Sequence, residues 1–304
     1  MFYSTRLPRF EYLAPRGIEE ALFMLFQHGK EARVIAGGTD LLPQMKKREL
    51  ALRYLIGLRN IGGLDYIDYN QAQGLRIGPL ATLHAVERSP VVNERFPALA
   101  QAAHSMASAQ IRNMGTVVGN ICNAVPSADT APALIVLAAR VKVASHRDGE
   151  RVIAVEELFA GPSQTVLSHD ELVLELQVPD PVAHSGSAYV KHMVRSAMDL
   201  AIVGVAACVT ARDRRCDDVK IALGAVAPTP VRAKEAEGML KGKVFAVRSV
   251  ERAAGAAAAE SRPITDIRAS LEYRRDMVGV LTRRALNQAW AEVERAESCK
   301  GGLH

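Results

Sequence analysis

The chain has 304 residues, with 38 Lys and Arg against 33 Asp and Glu and 49% hydrophobic residues, a mean hydropathy of +0.03 and a pI near 9.1. This composition excludes a disordered chain, because enough apolar surface is present to bury, and the length predicts two or three subdomains rather than one core. The net charge of +5 predicts no nucleic-acid partner: its densest cluster, Lys46 to Arg48, is brief and followed by Glu49, and no element carries a sustained basic stripe.

In chain order, the opening MFYSTRLPRFEYLAP has charge and proline where a signal peptide needs an apolar core. The spacing of IEEALFMLFQHG predicts a helix ending on Gly29, and RVIAG a short buried strand. TDLLPQMKKREL then opens a helix with Pro43 early, where a missing N–H costs little. From about residue 53 the sequence predicts strands at RYLIGL, LDYID and LRIGPL. Helices follow at ATLHAVERS, PALAQAAHSMA and ADTAPALIVLAA, then strands at RVKVAS and ELVLELQV. The Pro, Gly and Ser of VPDPVAHSGS, residues 178 to 187, predict a domain boundary. Beyond it, AYVKHMV, LAIVGVAACVTA and VKIALGAVA predict a three-stranded antiparallel meander, and VRAKEAEGML, VRSVERAAGAAAAE and LEYRRDMVGVLTRRALNQAW three helices. The apolar run from Leu200 falls short of the roughly 20 residues that span a bilayer. The expectation is a cytoplasmic α+β protein with no membrane insertion.

Neither catalysis nor metal binding is legible in the side chains. Cys122, Cys208, Cys216 and Cys299 lie far apart without a CxxC pair, which argues against a zinc or iron–sulfur site in this chain. The eight histidines form no spaced ligand set, and GxSxG is absent. The expectation is therefore no catalytic residue and no metal ligand in this chain.

Two glycine stretches carry the chemistry. AGGTD, Ala36 to Asp40, leaves a strand and enters a helix, where converging backbone N–H groups suit a pyrophosphate. On its own a double glycine at a strand-to-helix turn is more often only a tight turn. In IRNMGTVVGNICNAVPSADTAP, residues 111 to 132, Gly115, Thr116, Gly119 and Asn120 allow close approach of a ligand, and Asp129 can accept from sugar or ribityl hydroxyls. Alone, this stretch reads as well as two bulges and a helix N-cap at Asp129. No GxGxxG follows a strand, and GMLKGKV misses the P-loop spacing.

Together, RVIAGGTDLLPQMKKRE and IRNMGTVVGNICNAVPSADTAPALIVL resemble the FAD-binding medium subunit of the molybdenum hydroxylases, the family of xanthine dehydrogenase, carbon monoxide dehydrogenase and 4-hydroxybenzoyl-CoA reductase. The similarity continues through ELVLELQVP and YVKHMVRSAMDLAIVGVAACV to YRRDMVGVLTRRAL, in the family's order. The resemblance implies a two-part vanillyl-alcohol-oxidase-type FAD-binding domain over 1–180, with subdomains of about 1–55 and 56–180. A C-terminal domain over 186–295, built of a three-stranded antiparallel sheet and a helical bundle, and a tail at 296–304 would follow.

By the same resemblance, Val34, Ile35, Ala36, Gly37, Gly38, Thr39, Asp40 and Leu41 form the first wall of the FAD site. Thr116, Gly119 and Asn120 form the second. Asp129 meets the cofactor's hydroxyls, Lys191 approaches the flavin ring, and Leu172 and Met106 lie near the isoalloxazine. The second stretch has Val118 where many relatives carry a Gly–Gly pair. Cys122 runs directly into NAVPSADTAP, so the cysteine-rich insertion of one branch, with its iron–sulfur cluster, is expected to be missing.

The implied function is electron relay by FAD between a [2Fe-2S] small subunit and an acceptor such as NAD, quinone or ferredoxin. A separate large subunit with a molybdenum cofactor would turn over the substrate, in a dimer of heterotrimers. Two other readings remain: a self-contained flavin oxidase of the vanillyl-alcohol oxidase type, and an assembly subunit without cofactor.

Overall fold

The computed structural model describes residues 6–195 and 198–301, with side chains to 295. Expectations resting on residues 1–5, 196–197 and 302–304, and on the Cys299 side chain, lie outside the described residues. The first layer is a parallel sheet. β1 (Glu11–Leu13) leads to α1 (Ile18–His28), whose Ala21, Leu22 and Leu25 form its buried face. Gly29 ends this helix at φ +52, a backbone that a side chain would strain. β2 (Ala32–Ile35), α2 (Leu41–Lys46) and β3 (Tyr54–Gly57) follow, and the strands order as β1-β3-β2, both outer strands parallel to β3.

The next part is antiparallel and carries the main core. β4 (Ile67–Asn70) and β5 (Gly74–Ile77) precede six short helices: α3 (Leu83–Arg88), α4 (Pro90–Arg95), α5 (Pro97–Ser105), α6 (Ala109–Arg112), α7 (Val117–Asn123) and α8 (Thr130–Val136). Pro90 and Pro97 stand at the first turns of α4 and α5, where their missing N–H has no helical acceptor to lose. β6 (Arg140–Ser145), β7 (Gly149–Ala154), the hairpin β8 (Phe159–Gly161) and β9 (Gln164–Thr165), and β10 (Glu171–Val178) complete it. The five-stranded sheet orders as β4-β5-β10-β6-β7. Phe96, Leu99, Ile121 and Leu134 are fully buried between helices and sheet. The strand expected from Leu64 begins only at Ile67, because the Leu64 and Tyr66 carbonyls turn to accept from Leu80 and Gly78.

The C-terminal part has β11 (Ser185–His192), β12 (Val203–Arg212), β13 (Arg215–Gly224) and β14 (Val231–Arg232), then α9 (Lys234–Leu240), α10 (Val247–Glu260) and α11 (Leu271–Gly301). The three long antiparallel strands are the expected meander, and β14 adds two residues at the edge. Val231 and Arg232 pair with Leu223 and Ala222, so the helix expected from 231 starts at Lys234. α11 continues past residue 296, where a tail was expected, through Gly301.

Both faces of this sheet are buried. Val203, Val205, Ala207 and Val209 pack against α9–α11, while Tyr189, Ala206 and Ala222 join the core of the preceding part. Burial on both sides explains why β12 reads as a continuous apolar run rather than an alternating one.

Candidate functional site

The turn after β2 and the segment before α7 meet face to face. A Cβ placed on Gly37 would fall 2.1 Å from the Met114 carbonyl oxygen and 2.9 Å from Gly115 Cα. Only glycine lets the two backbones approach this closely. Gly38 follows at φ +72, and a change of hand between neighbouring residues turns their N–H groups to one side, as in an anion-binding nest. The two stretches border a cavity of about 1070 Å³, above the roughly 300–1,000 Å³ typical of sites for drug-sized ligands. That is room for an extended dinucleotide.

The second wall is a helix start rather than a loop. Thr116 caps α7, its Oγ1 accepting from the Gly119 N–H at 3.0 Å, while the Val117 N–H reaches the Ala81 carbonyl at 3.3 Å. A Cβ on Gly119 would sit 2.8 Å from that Oγ1, so a side chain there disturbs the cap. Asn120 Oδ1 accepts from the Thr130 hydroxyl at 2.6 Å, which leaves its NH₂ as the group offered to the cavity. Gln44 Nε2 donates to Asn123 Oδ1 at 3.3 Å and ties α2 to α7.

A buried charge cluster stands at the cavity wall around Asp129. Asp129 precedes α8 without capping it, because its carboxylate turns to the C-terminal sheet. Oδ1 accepts from the Tyr189 hydroxyl at 2.6 Å and Oδ2 from Lys191 Nζ at 2.8 Å. Lys191 also donates to the Ser105 carbonyl at 3.1 Å. The side chains of Lys191 and Asp129 are only 3% and 6% exposed. Burial pushes the Asp129 carboxyl up, against the pull of Lys191 and the Tyr189 hydroxyl, and it drives the Tyr189 phenol well above its ordinary value, with the Asp129 charge adding to the effect.

Comparison with known proteins gives the chain's family. The family described as the FAD binding domain in molybdopterin dehydrogenase matches residues 8–181. The chain belongs to this family. The CO dehydrogenase flavoprotein C-terminal domain matches residues 188–289. The carbon monoxide dehydrogenase medium chain of Hydrogenophaga pseudoflava is 36% identical, over 93% of this chain and 98% of that one. A putative xanthine dehydrogenase FAD-binding subunit of Escherichia coli K12 is 31% identical, over 88% and 91%. A solved Hydrogenophaga pseudoflava carbon monoxide dehydrogenase, which lacks the Mo-pyranopterin moiety of the molybdenum cofactor, superimposes with a TM-score of 0.91 at 36% identity, covering 95% of this chain and 99% of that one. The resemblance and the two-part α+β architecture stated from the sequence are thus shown, as is membership in an oxidoreductase family with an FAD-binding domain.

For a member of this FAD-binding family, the residues present fit the cofactor. Val34 through Leu41 line the cavity along one wall, and Thr116, Gly119 and Asn120 along the other, with Asp129 also in the lining. Met106 packs on the main core and Leu172 on the α1 cluster, and both face the same cavity. Lys191 alone of the expected residues is missing from the lining: it reaches the site through Asp129. Asp40 is the N-cap of α2, but its side chain makes no capping bond.

Sequence reasoning missed Tyr189, Gln44 and Asn123, and the Met198, Asp199 and Leu200 segment that reaches the cavity from the C-terminal part. Tyr189 had a signal: it lies two residues before Lys191 on a strand, hence on the same face. Among the described residues, no group of three His, Cys, Asp or Glu could hold a metal.

Proposed function

We propose that this chain is the FAD-carrying medium subunit of a molybdenum-dependent dehydrogenase, relaying electrons between a [2Fe-2S] small subunit and an external acceptor such as NAD, quinone or ferredoxin. A separate molybdenum subunit turns over the substrate, and the subunits form a dimer of heterotrimers in the cytoplasm. The observation that carries this reading is the Gly37–Gly115 contact at the edge of a cavity large enough for a dinucleotide.

Bound FAD supplies reversible electron transfer at its isoalloxazine. The chain's residues do the holding. The glycine turn at 36–38 and the capped start of α7 hold the two walls at fixed spacing, so the pyrophosphate meets backbone rather than mobile side chains. Asn120 offers its NH₂, and Asp129, oriented by Tyr189 and Lys191, offers a carboxylate edge to hydroxyls of the cofactor. The FAD-binding domain spans 1–180 in two lobes, 1–55 and 56–180, and the domain at 186–295 contributes charge from behind Asp129.

Relatives named for carbon monoxide and for xanthine match this chain in sequence over nearly their whole length, which supports substrate choice residing in another subunit. No helix among the described residues is long and apolar enough to cross a membrane. The test is purification of the tagged chain from its source cells, with flavin, iron and molybdenum measured in the eluate. Flavin together with both metals supports the relay. Substrate turnover by the chain alone points to a self-contained oxidase, and an assembly without flavin to a subunit without cofactor.

A further inference from the structure

The geometry points to Tyr189 as a positioning residue for the flavin: through Asp129, its hydroxyl sets the carboxylate that faces the cavity and the ammonium of Lys191 behind it. This rests on the FAD reading above. Tyr189 and Lys191 project from one face of β11 and grip the two oxygens of one carboxylate, at 2.6 Å and 2.8 Å. A carboxylate held at both oxygens cannot turn about its terminal torsion, so the edge it shows to the cavity is fixed. Lys191 is in turn anchored by the Ser105 carbonyl at 3.1 Å.

The neighbouring strands are cut away to let the tyrosine reach. Gly204 pairs with Lys191 across the sheet, and a Cβ on it would fall 2.6 Å from the Tyr189 hydroxyl oxygen. Gly224, its partner on β13, would meet Pro132 Cγ at 2.8 Å if it carried a Cβ. Two paired glycines thus let β12 and β13 sit against Tyr189 and α8, the helix that Asp129 precedes. The strand carrying the ring is pinned as well, since the Tyr189 N–H donates to Gln101 Oε1 at 2.7 Å. Lys191 does not line the cavity, so the β11 face reaches the cofactor through Asp129, and the tyrosine fixes one of the two carboxylate oxygens while Lys191 holds the other.

The test is Tyr189→Phe, which removes the hydroxyl and keeps the ring, in the native assembly purified by a tag on this chain. A carboxylate that must be ordered again on binding should weaken FAD retention about fivefold. The substitution should also make the flavin midpoint potential more negative, because the freed carboxylate faces the cofactor less compensated, and lower the melting temperature of the FAD-depleted assembly, because a buried hydrogen bond to a carboxylate is lost. Gly204→Ala, which crowds the same hydroxyl, should shift the potential in the same direction, and it carries the test if Tyr189→Phe does not accumulate. Wild-type affinity and potential in Tyr189→Phe overturn the proposal. A lower melting temperature with unchanged potential overturns it too, since the ring would then only pack. A wild-type assembly without flavin instead overturns the FAD reading, and the proposal with it.

Discussion

Gly37 packs backbone to backbone on Gly115, with only 2.9 Å between the position a Gly37 Cβ would take and Gly115 Cα. Gly37→Ala must therefore push the two walls of the cavity apart, at an overpacking cost of about 1–3 kcal/mol. The variant should accumulate with little FAD, read from the flavin absorbance of the purified assembly. Gly62→Ala, at a glycine with open space around it, should keep wild-type FAD content and serves as the control.

Gly119→Val acts on the opposite wall. Its Cβ would crowd Thr116 Oγ1 at 2.8 Å, so the α7 cap, a contribution of about 1 kcal/mol, is disturbed and the added methyl groups narrow the cavity. An assembly without flavin is expected, and stoichiometric FAD in this variant would show that the α7 start does not hold the cofactor.

Lys191→Ala should be costly in a pH-dependent way. It leaves Asp129 buried without its cation, and breaking a buried pair typically costs about 3–5 kcal/mol. The Asp129 carboxyl, already raised by burial and restrained by Lys191, should rise further. A carboxyl with a higher pKa in the fold than in the unfolded chain contributes stability in acid and loses it as pH climbs from the ordinary value of 3.8 toward the folded one. Denaturant titrations should thus find the variant further below wild type at neutral pH than in mild acid. Equal deficits at both would contradict the pairing.

Asp266→Asn probes the other buried cation. Arg274, 3% exposed, donates to the Ile202 and Ala225 carbonyls and to Asp266 at 2.7 Å. Desolvation pushes the Asp266 carboxyl up, but the Arg268 N–H, Arg274 and the Ala269 N–H outweigh it and hold the group at about 2. A depressed carboxylate contributes stability above its ordinary pKa of 3.8 and loses it as pH falls through about 2. The variant should lose about 1–2 kcal/mol at neutral pH, discounted because the Asp266 side chain stays 26% exposed. It should also flatten the acid limb of the stability curve.

The glycine turn at 36–38 was legible because it is local: an apolar strand, two glycines and a helix start lie within a few residues. The C-terminal sheet was legible for a different reason, since burial on both faces makes β12 and the end of β13 apolar runs whatever they pack against. α7 was not. Val117, Val118 and Gly119 are weak helix formers, and the helix forms because Thr116 caps it and Val117, Val118 and Ile121 are buried. Nor could the sequence show that Lys191 stands behind Asp129 rather than in the lining. The two lie 62 positions apart, and their contact depends on how the C-terminal sheet docks on α5 and α8.

The central claim is that the cavity between Gly37–Gly38 and α7 holds FAD. It is tested most directly by the flavin content of the assembly purified through this chain, compared with that of its Gly37→Ala variant. The account predicts stoichiometric FAD in the first and strong depletion in the second. Absence of flavin from the wild-type assembly, or equal FAD in both, would contradict it.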